Sequence, residues 1–116
     1  MPAQVTAERV ARNQATFREA NEQIERKAEE LRASVDRVPF ICECPDADCT
    51  SITRVSLVDY EMVRSRPEWF LVAPGHEVCV VNDVHVAEAV KRYDEFSVMQ
   101  KINEAAEVAE ELDPRQ

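Results

Sequence analysis

Three cysteines fall within eight residues, Cys42-x-Cys44-x4-Cys49, and His76 follows the only glycine of the chain. Thiolate and imidazole are the ligands that a tetrahedral Zn²⁺ takes, so the cluster reads first as metal chemistry. Residues i and i+2 of a strand point to one face, so Cys42 and Cys44 can turn toward one ion while the loop brings Cys49 back. The spacing is not that of paired C-x2-C knuckles. Ala73-Pro74-Gly75-His76 is the order a type II turn asks for, with proline second and a glycine tolerant of positive φ third. Such a turn fixes the direction of His76 and makes it the first candidate for fourth ligand. Cys79, in Val78-Cys79-Val80-Val81, is the alternative, although a free thiol in an apolar run also behaves as a small buried hydrophobe. Water or a carboxylate such as Glu43 stays open as well. His85 is the weaker histidine, expected on the surface. The expected cofactor is one Zn²⁺ per chain, with a [2Fe–2S] cluster on the four cysteines or Cu(I) as alternatives.

A closed Cys3His site has no position for water or substrate, so it acts structurally and points to a non-enzymatic interaction or regulatory module. The same thiolates could serve a redox sensor that releases zinc on oxidation. A small zinc hydrolase would need only three protein ligands and a base, for which Glu43 and Glu77 are candidates. His76-Glu77 is adjacent rather than H-x-E, no P-C-x-x-C follows, and H-E-x-x-H is absent. With a single glycine in the chain, the glycine-rich phosphate loops are excluded. Asp46 and Asp48 read as an exposed turn.

The elements that must position these groups form an α+β arrangement: a long N-terminal helix, then a small zinc-stapled mixed sheet with one or two short helices. Three regions are expected: an amphipathic helix in 1–38, a metal-binding α+β domain in 39–103 and an acidic tail in 104–116. Thr6 is a candidate N-cap for a helix running to about Ser34, and Pro39 ends the segment. Val10, Phe17, Ile24 and Leu31 recur every seven residues, making a seam for a protein partner or a second copy of the chain. The second heptad position holds Gln14, Asn21, Ala28 and Val35, polar early and apolar late. The alternative is a helix laid along its own domain.

Residues 40–44 and 51–55 read as a hairpin around Pro45-Asp46-Ala47-Asp48. Ser56 and Asp59 have capping-box spacing for a short helix that stops by Pro67. Residues 69–72 and 77–81 read as strands, 84–93 as a short helix capped by Asp83, and 95–102 as a strand. Tyr60, Arg64, Trp69 and Phe70 read mostly as core and edge residues. The tail is a frayed helix or disordered.

The 116 residues allow one domain with one modest core. Residues 1–38 hold seven basic and seven acidic side chains, so the net charge of −9 sits wholly in the remainder. Val, Ile, Leu and Phe supply seven of the first 38 residues and 21 of the other 78. The first part therefore cannot bury itself alone. The charge disfavours direct nucleic-acid binding, and mimicry of a nucleic acid finds weak support in it. No apolar run reaches the length of a membrane helix, and no basic-then-apolar leader opens the chain. A cytoplasmic location is expected, where thiols stay reduced.

Phe40-x-Cys42-Glu43-Cys44-x4-Cys49, then Tyr60-x3-Arg64, then Phe70-x-Val72-x-Pro74-Gly75-His76 resembles a family of short actinobacterial proteins of unknown function. Asn13-x3-Phe17-Arg18-x2-Asn21-Glu22 and Ala105-Ala106-Glu107-Val108-Ala109 extend the resemblance over most of the chain. That pattern carries the three cysteines and the histidine but no counterpart of Cys79. The resemblance implies His76 as fourth ligand and Cys79 as a local core residue. It implies no activity, substrate or partner.

Overall fold

The computed structural model describes residues 7–30, 36–46, 48–81 and 83–115. Helix α1 spans Ala7–Glu30; β1 (Val38–Ile41) and β2 (Ile52–Val55) follow, then α2 (Leu57–Arg64) and β3 (Trp69–Val72). The order continues with β4 (Val80–Val81), β5 (Val84–His85), β6 (Ala87–Arg92), β7 (Ser97–Lys101) and α3 (Asn103–Glu111). This is the expected α+β class, but every described strand pairing is antiparallel rather than mixed. β1 and β2 form the expected hairpin, with Val38 opposite Val55 and Ile41 opposite Ile52. A three-stranded sheet has the order β3-β7-β6, and β4-β5 is a two-stranded ribbon. No described helix is long and apolar enough to cross a membrane.

Local chemistry accounts for much of this. Alternation along β2 buries Thr53 and Val55 and exposes Ile52 and Arg54. The Ser56 hydroxyl accepts from the Asp59 backbone N–H at 3.1 Å, capping α2 as its spacing predicts. Phe40 of β1 stacks on Tyr60 of α2 with ring centroids 4.2 Å apart. Around that pair Val55, Val63, Leu71, Phe96 and Val98 close the first core, against which Ile24 of α1 packs. The second core is smaller: Cys42, Cys44, Val72, Ala73, Val86, Ala87, Met99 and Ala105. Two of the candidate ligands thus stand among the core residues of a half that has few large side chains.

Helix α1 lies along its own domain, and the face it buries is the polar one. Gln14, Arg18, Asn21, Glu22, Glu25 and Ala28 are buried, so the second heptad position, not the first, meets the domain. Phe17 and Ile24 of the other position are half-buried. The side chain of Val10, and Leu31, Val35, Thr6 and Ser34 altogether, lie outside the described residues.

Three expectations are corrected. Residues 84–93 are not a helix but β5 and the edge strand β6, in which Glu88 opposes Gln100 and Ala89 opposes Met99. Ala, Glu, Lys and Arg favour helix locally, but pairing with β7 outweighs that preference. Asp83 takes a φ of 64° in the two-residue connection from β4 to β5, the left-handed geometry of a tight hairpin, instead of capping a helix. The strand expected over 77–81 is confined to β4. Of the two readings of the tail, the helix is the one observed, and it is packed rather than frayed: Ala105 and Ala109 of α3 are buried, and Asp113 and Arg115 bond to α1 and α2 residues. His85 is exposed as expected, but on a strand.

Lys101 ends β7 with a buried ammonium that donates to Gln14 Oε1 and lies 5.2 Å from the centre of the Phe70 ring. Burial and the neighbouring Arg18 push it down to about 8. An unfolded lysine keeps its proton to about 10.4, so between those values the unfolded chain binds more protons. The penalty is full below the folded value and is relieved as pH rises through the window. Lys101→Met removes this titration. The stability of K101M relative to wild type should therefore fall steadily from about pH 8 to about pH 10.5 in denaturant titrations. A difference that stays constant with pH contradicts the assignment.

Candidate metal centre

Residues 42–44 continue β1 as extended chain. The Cys42 N–H donates to the Ser51 carbonyl at 3.1 Å and the Glu43 N–H to the Leu71 carbonyl at 2.7 Å, tying the segment to both neighbours. Alternation then sends Cys42 and Cys44 to one side and Glu43 to the other. The loop that follows is a real turn: Asp46 Oδ1 accepts from the Asp48 N–H at 2.9 Å, and its carbonyl accepts from the Cys49 N–H at 3.0 Å. That turn carries Cys49 back beside the other two thiols. Asp46 is therefore part of the turn's own bonding.

The fourth group arrives from β3. Its last residue leads into Ala73-Pro74-Gly75-His76, closed by the His76 N–H donating to the Ala73 carbonyl at 3.0 Å. Gly75 takes φ +87°, as the third position of a type II turn requires. His76 Nδ1 consequently stands 3.6 Å from Cys42 Sγ and 3.5 Å from Cys49 Sγ. Ligand atoms of Cys42, Cys44, Cys49 and His76 all lie within 4.8 Å of one another, an arrangement that can hold a metal ion. Cys79 is not in that group. It is half-buried against the second core, and its carbonyl accepts from the N–H groups of Val86 and Ala87.

Backbone donors face the thiols. The Ala73 N–H points at Cys42 Sγ from 3.2 Å, and N–H groups of Asp46 and Ser51 serve Cys44 and Cys49. Without a metal, burial pushes the Cys42 thiol up to about 12 and also raises Cys44. At Cys49 burial acts upward too, but hydrogen bonds from the Ser51 backbone, Cys44, the Ser51 hydroxyl and Cys42 outweigh it, and the net direction is down. A cation entering the cluster replaces protons on the buried sulfurs.

Behind the ligands lies a feature that sequence reasoning missed. The Glu43 side chain is fully buried and faces α1. Its Oε1 accepts from the Leu71 N–H at 2.9 Å and from Arg18 at 3.4 Å, and its Oε2 from Asn21 Nδ2 at 2.9 Å. Gln14 Nε2 donates to the Glu43 carbonyl at 2.8 Å. Asn21 also bonds both backbone groups of Ile41, accepting at 2.7 Å and donating at 2.8 Å. Gln14, Arg18 and Asn21 lie at i, i+4 and i+7, on one face of the helix, and clamp residues 41–43. The only sequence signal was three polar residues at helical spacing where a coiled coil would want apolar ones. Tyr60, Phe70 and Arg64 are buried and Trp69 half-buried, so these four are core and edge residues.

Against protein-family models, curated proteins and solved structures the chain finds no match. Geometry therefore carries the functional reading.

Glu43→Gln leaves the buried Arg18 guanidinium without its counter-charge and turns an amide NH2 toward donors. Breaking one partner of a buried pair costs about 3–5 kcal/mol, whereas replacing both partners with neutral groups costs less. Urea denaturation of the metal-loaded protein should show that loss in E43Q and partial recovery in Arg18→Met with Glu43→Gln. Equal stability of E43Q and wild type contradicts this role.

Proposed function

We propose that this chain is a zinc-binding α+β module in which one Zn²⁺ on Cys42, Cys44, Cys49 and His76 fixes the fold, and that it works through protein contacts and not as an enzyme. The observation that carries the reading is the ligand spacing. With Zn–S near 2.3 Å and Zn–N near 2.05 Å, a tetrahedron has a sulfur–nitrogen edge of about 3.6 Å. In the structure two such edges, from His76 Nδ1 to Cys42 Sγ and to Cys49 Sγ, are 3.6 Å and 3.5 Å. Three thiolates and one imidazole fill a tetrahedral shell, which favours zinc among the alternatives and leaves no place for a reacting water.

The carboxylates considered as hydrolytic bases are engaged elsewhere, which supports a structural role. Glu43 is saturated by helix α1 and the Leu71 N–H, and Glu77 accepts from the Ser97 hydroxyl at 2.7 Å. Zinc also suits the second core, whose side chains are small; a structural site supplies folding free energy on the order of 10 kcal/mol. For partner contact, Phe17 and Ile24 are the seam residues whose side chains are described, both half-buried, and Ile24 is the one that packs against the first core.

A second reading is a thiol redox sensor, favoured by the partial exposure of Cys49 beside buried Cys44. A hydroperoxide would take two electrons from the two thiolates and two protons from solvent, its O–O bond breaking to give one water and one alcohol (two waters from hydrogen peroxide), and leave a disulfide that no longer holds the ion.

Native mass spectrometry on protein purified without added metal should show one zinc per chain. Zinc should be retained in Cys79→Ser and lost or much weakened in His76→Ala. Zinc loss in Cys79→Ser with retention in His76→Ala would transfer the fourth ligand to Cys79, and absence of metal from the folded wild type removes the proposal.

A further inference from the structure

The four candidate ligands are held unequally. Cys42 and Cys44 are 0 % and 2 % exposed and belong to the second core, whereas Cys49 and His76 are half-buried, so one edge of the ligand set faces solvent. The buried pair lies on extended chain that is tied on both sides. The Cys42 N–H donates to the Ser51 carbonyl, the Glu43 N–H to the Leu71 carbonyl, and the Glu43 side chain between the two cysteines is held by Arg18 and Asn21. Moving either sulfur means moving that strand.

The open pair has lighter ties. Cys49 ends the turn made by Asp46, whose carbonyl accepts from the Cys49 N–H at 3.0 Å, and His76 ends the turn that its own N–H closes on Ala73. His76 Nδ1 faces the sulfurs, and among the described residues no group accepts a hydrogen bond from its Nε2. A metal-binding imidazole is ordinarily oriented by such an acceptor, and losing it costs about 10–100-fold in metal affinity. The adjacent Glu77 does not fill the role, because its carboxylate accepts from the Ser97 hydroxyl at 2.7 Å.

On the basis of the zinc reading above, we propose that Cys49 and His76 form an exchange edge through which zinc passes to and from an external thiolate, while Cys42 and Cys44 let go last. An incoming thiol must replace one imidazole nitrogen and one sulfur on a metal that favours soft donors, which makes a thiolate the matching acceptor. His76 yields its position first, and the proton of the incoming thiol goes to solvent. Cys49 yields next, and the freed sulfur takes up the proton that the second thiol gives away. Each zinc–ligand bond that breaks is replaced by a zinc–sulfur bond to the acceptor, and no electrons change hands.

The test is limiting N-ethylmaleimide on the zinc-loaded full chain, with alkylation mapped residue by residue and zinc content read by native mass spectrometry. A bound thiolate stays nucleophilic, so access decides which sulfur reacts. Cys49 should be alkylated at least about tenfold faster than Cys42 or Cys44, with Cys79, outside the ligand group, scored separately. In a second measurement, zinc loss to excess EDTA should speed up in proportion to added dithiothreitol. Equal alkylation of the three cysteines while zinc is bound, or a loss rate indifferent to dithiothreitol, overturns the exchange edge and leaves the zinc reading standing. Absence of zinc from the purified chain removes both.

Discussion

The buried carboxylate of Glu43 is the interaction on which the rest depends. It sits between two of the candidate ligand cysteines in sequence and opposite them in space, so whatever holds Glu43 also sets the direction of Cys42 and Cys44. Its bonds reach Arg18 and Asn21 on α1 and the backbone of Leu71 on β3. Arg18 in turn donates to the Pro67 carbonyl at 2.8 Å and lies 3.8 Å above the Phe70 ring. A guanidinium and a carboxylate this far from water are expensive to desolvate, and their mutual pairing with the bonds to Leu71, Asn21 and Pro67 offsets that cost, although Arg18 Nε is left without a partner. The arrangement explains why a helix with a polar inner face docks at all: its contact surface is a set of matched hydrogen bonds with few wrong registers.

That docking divides the interior into two unlike halves. On the α2 side, Phe40, Tyr60, Leu71, Phe96 and Val98 make an ordinary apolar core. On the other side the residues are alanines, valines, one methionine and the cysteines, a core of small side chains. A metal ion held by the Cys3His group would do there what large side chains do elsewhere, joining the β1–β2 hairpin to the turn after β3. The amide donors at Cys42, Cys44 and Cys49 belong to the same backbone turns, so ligand charge and loop shape are set together.

Much of the site was legible because its signals are local. Alternation places Cys42 and Cys44 together, Pro74-Gly75 writes a turn into the chain, and Ser56 with Asp59 writes a helix start. That His76 and not Cys79 stands beside the three thiols was also foreshadowed by that turn, since a fixed turn aims a side chain. What escaped was non-local. Residues 84–93 carry helix-forming side chains, yet their partner is β7, which comes later in the chain. Residues 104–116 read as a tail because no single segment reveals that Arg115 will meet Glu22 and Glu61. Glu43 looked like a possible ligand or base because the sequence shows its neighbours but not the Arg18 and Asn21 that claim it.

The central claim is a closed shell of three sulfurs and one nitrogen held in place by the Glu43 clamp, and zinc K-edge X-ray absorption on the native protein tests it most directly. The account predicts three Zn–S distances near 2.3 Å and one Zn–N distance of about 2.0–2.1 Å with imidazole scattering. Four sulfurs, or an oxygen ligand in place of or beside the histidine, would contradict it.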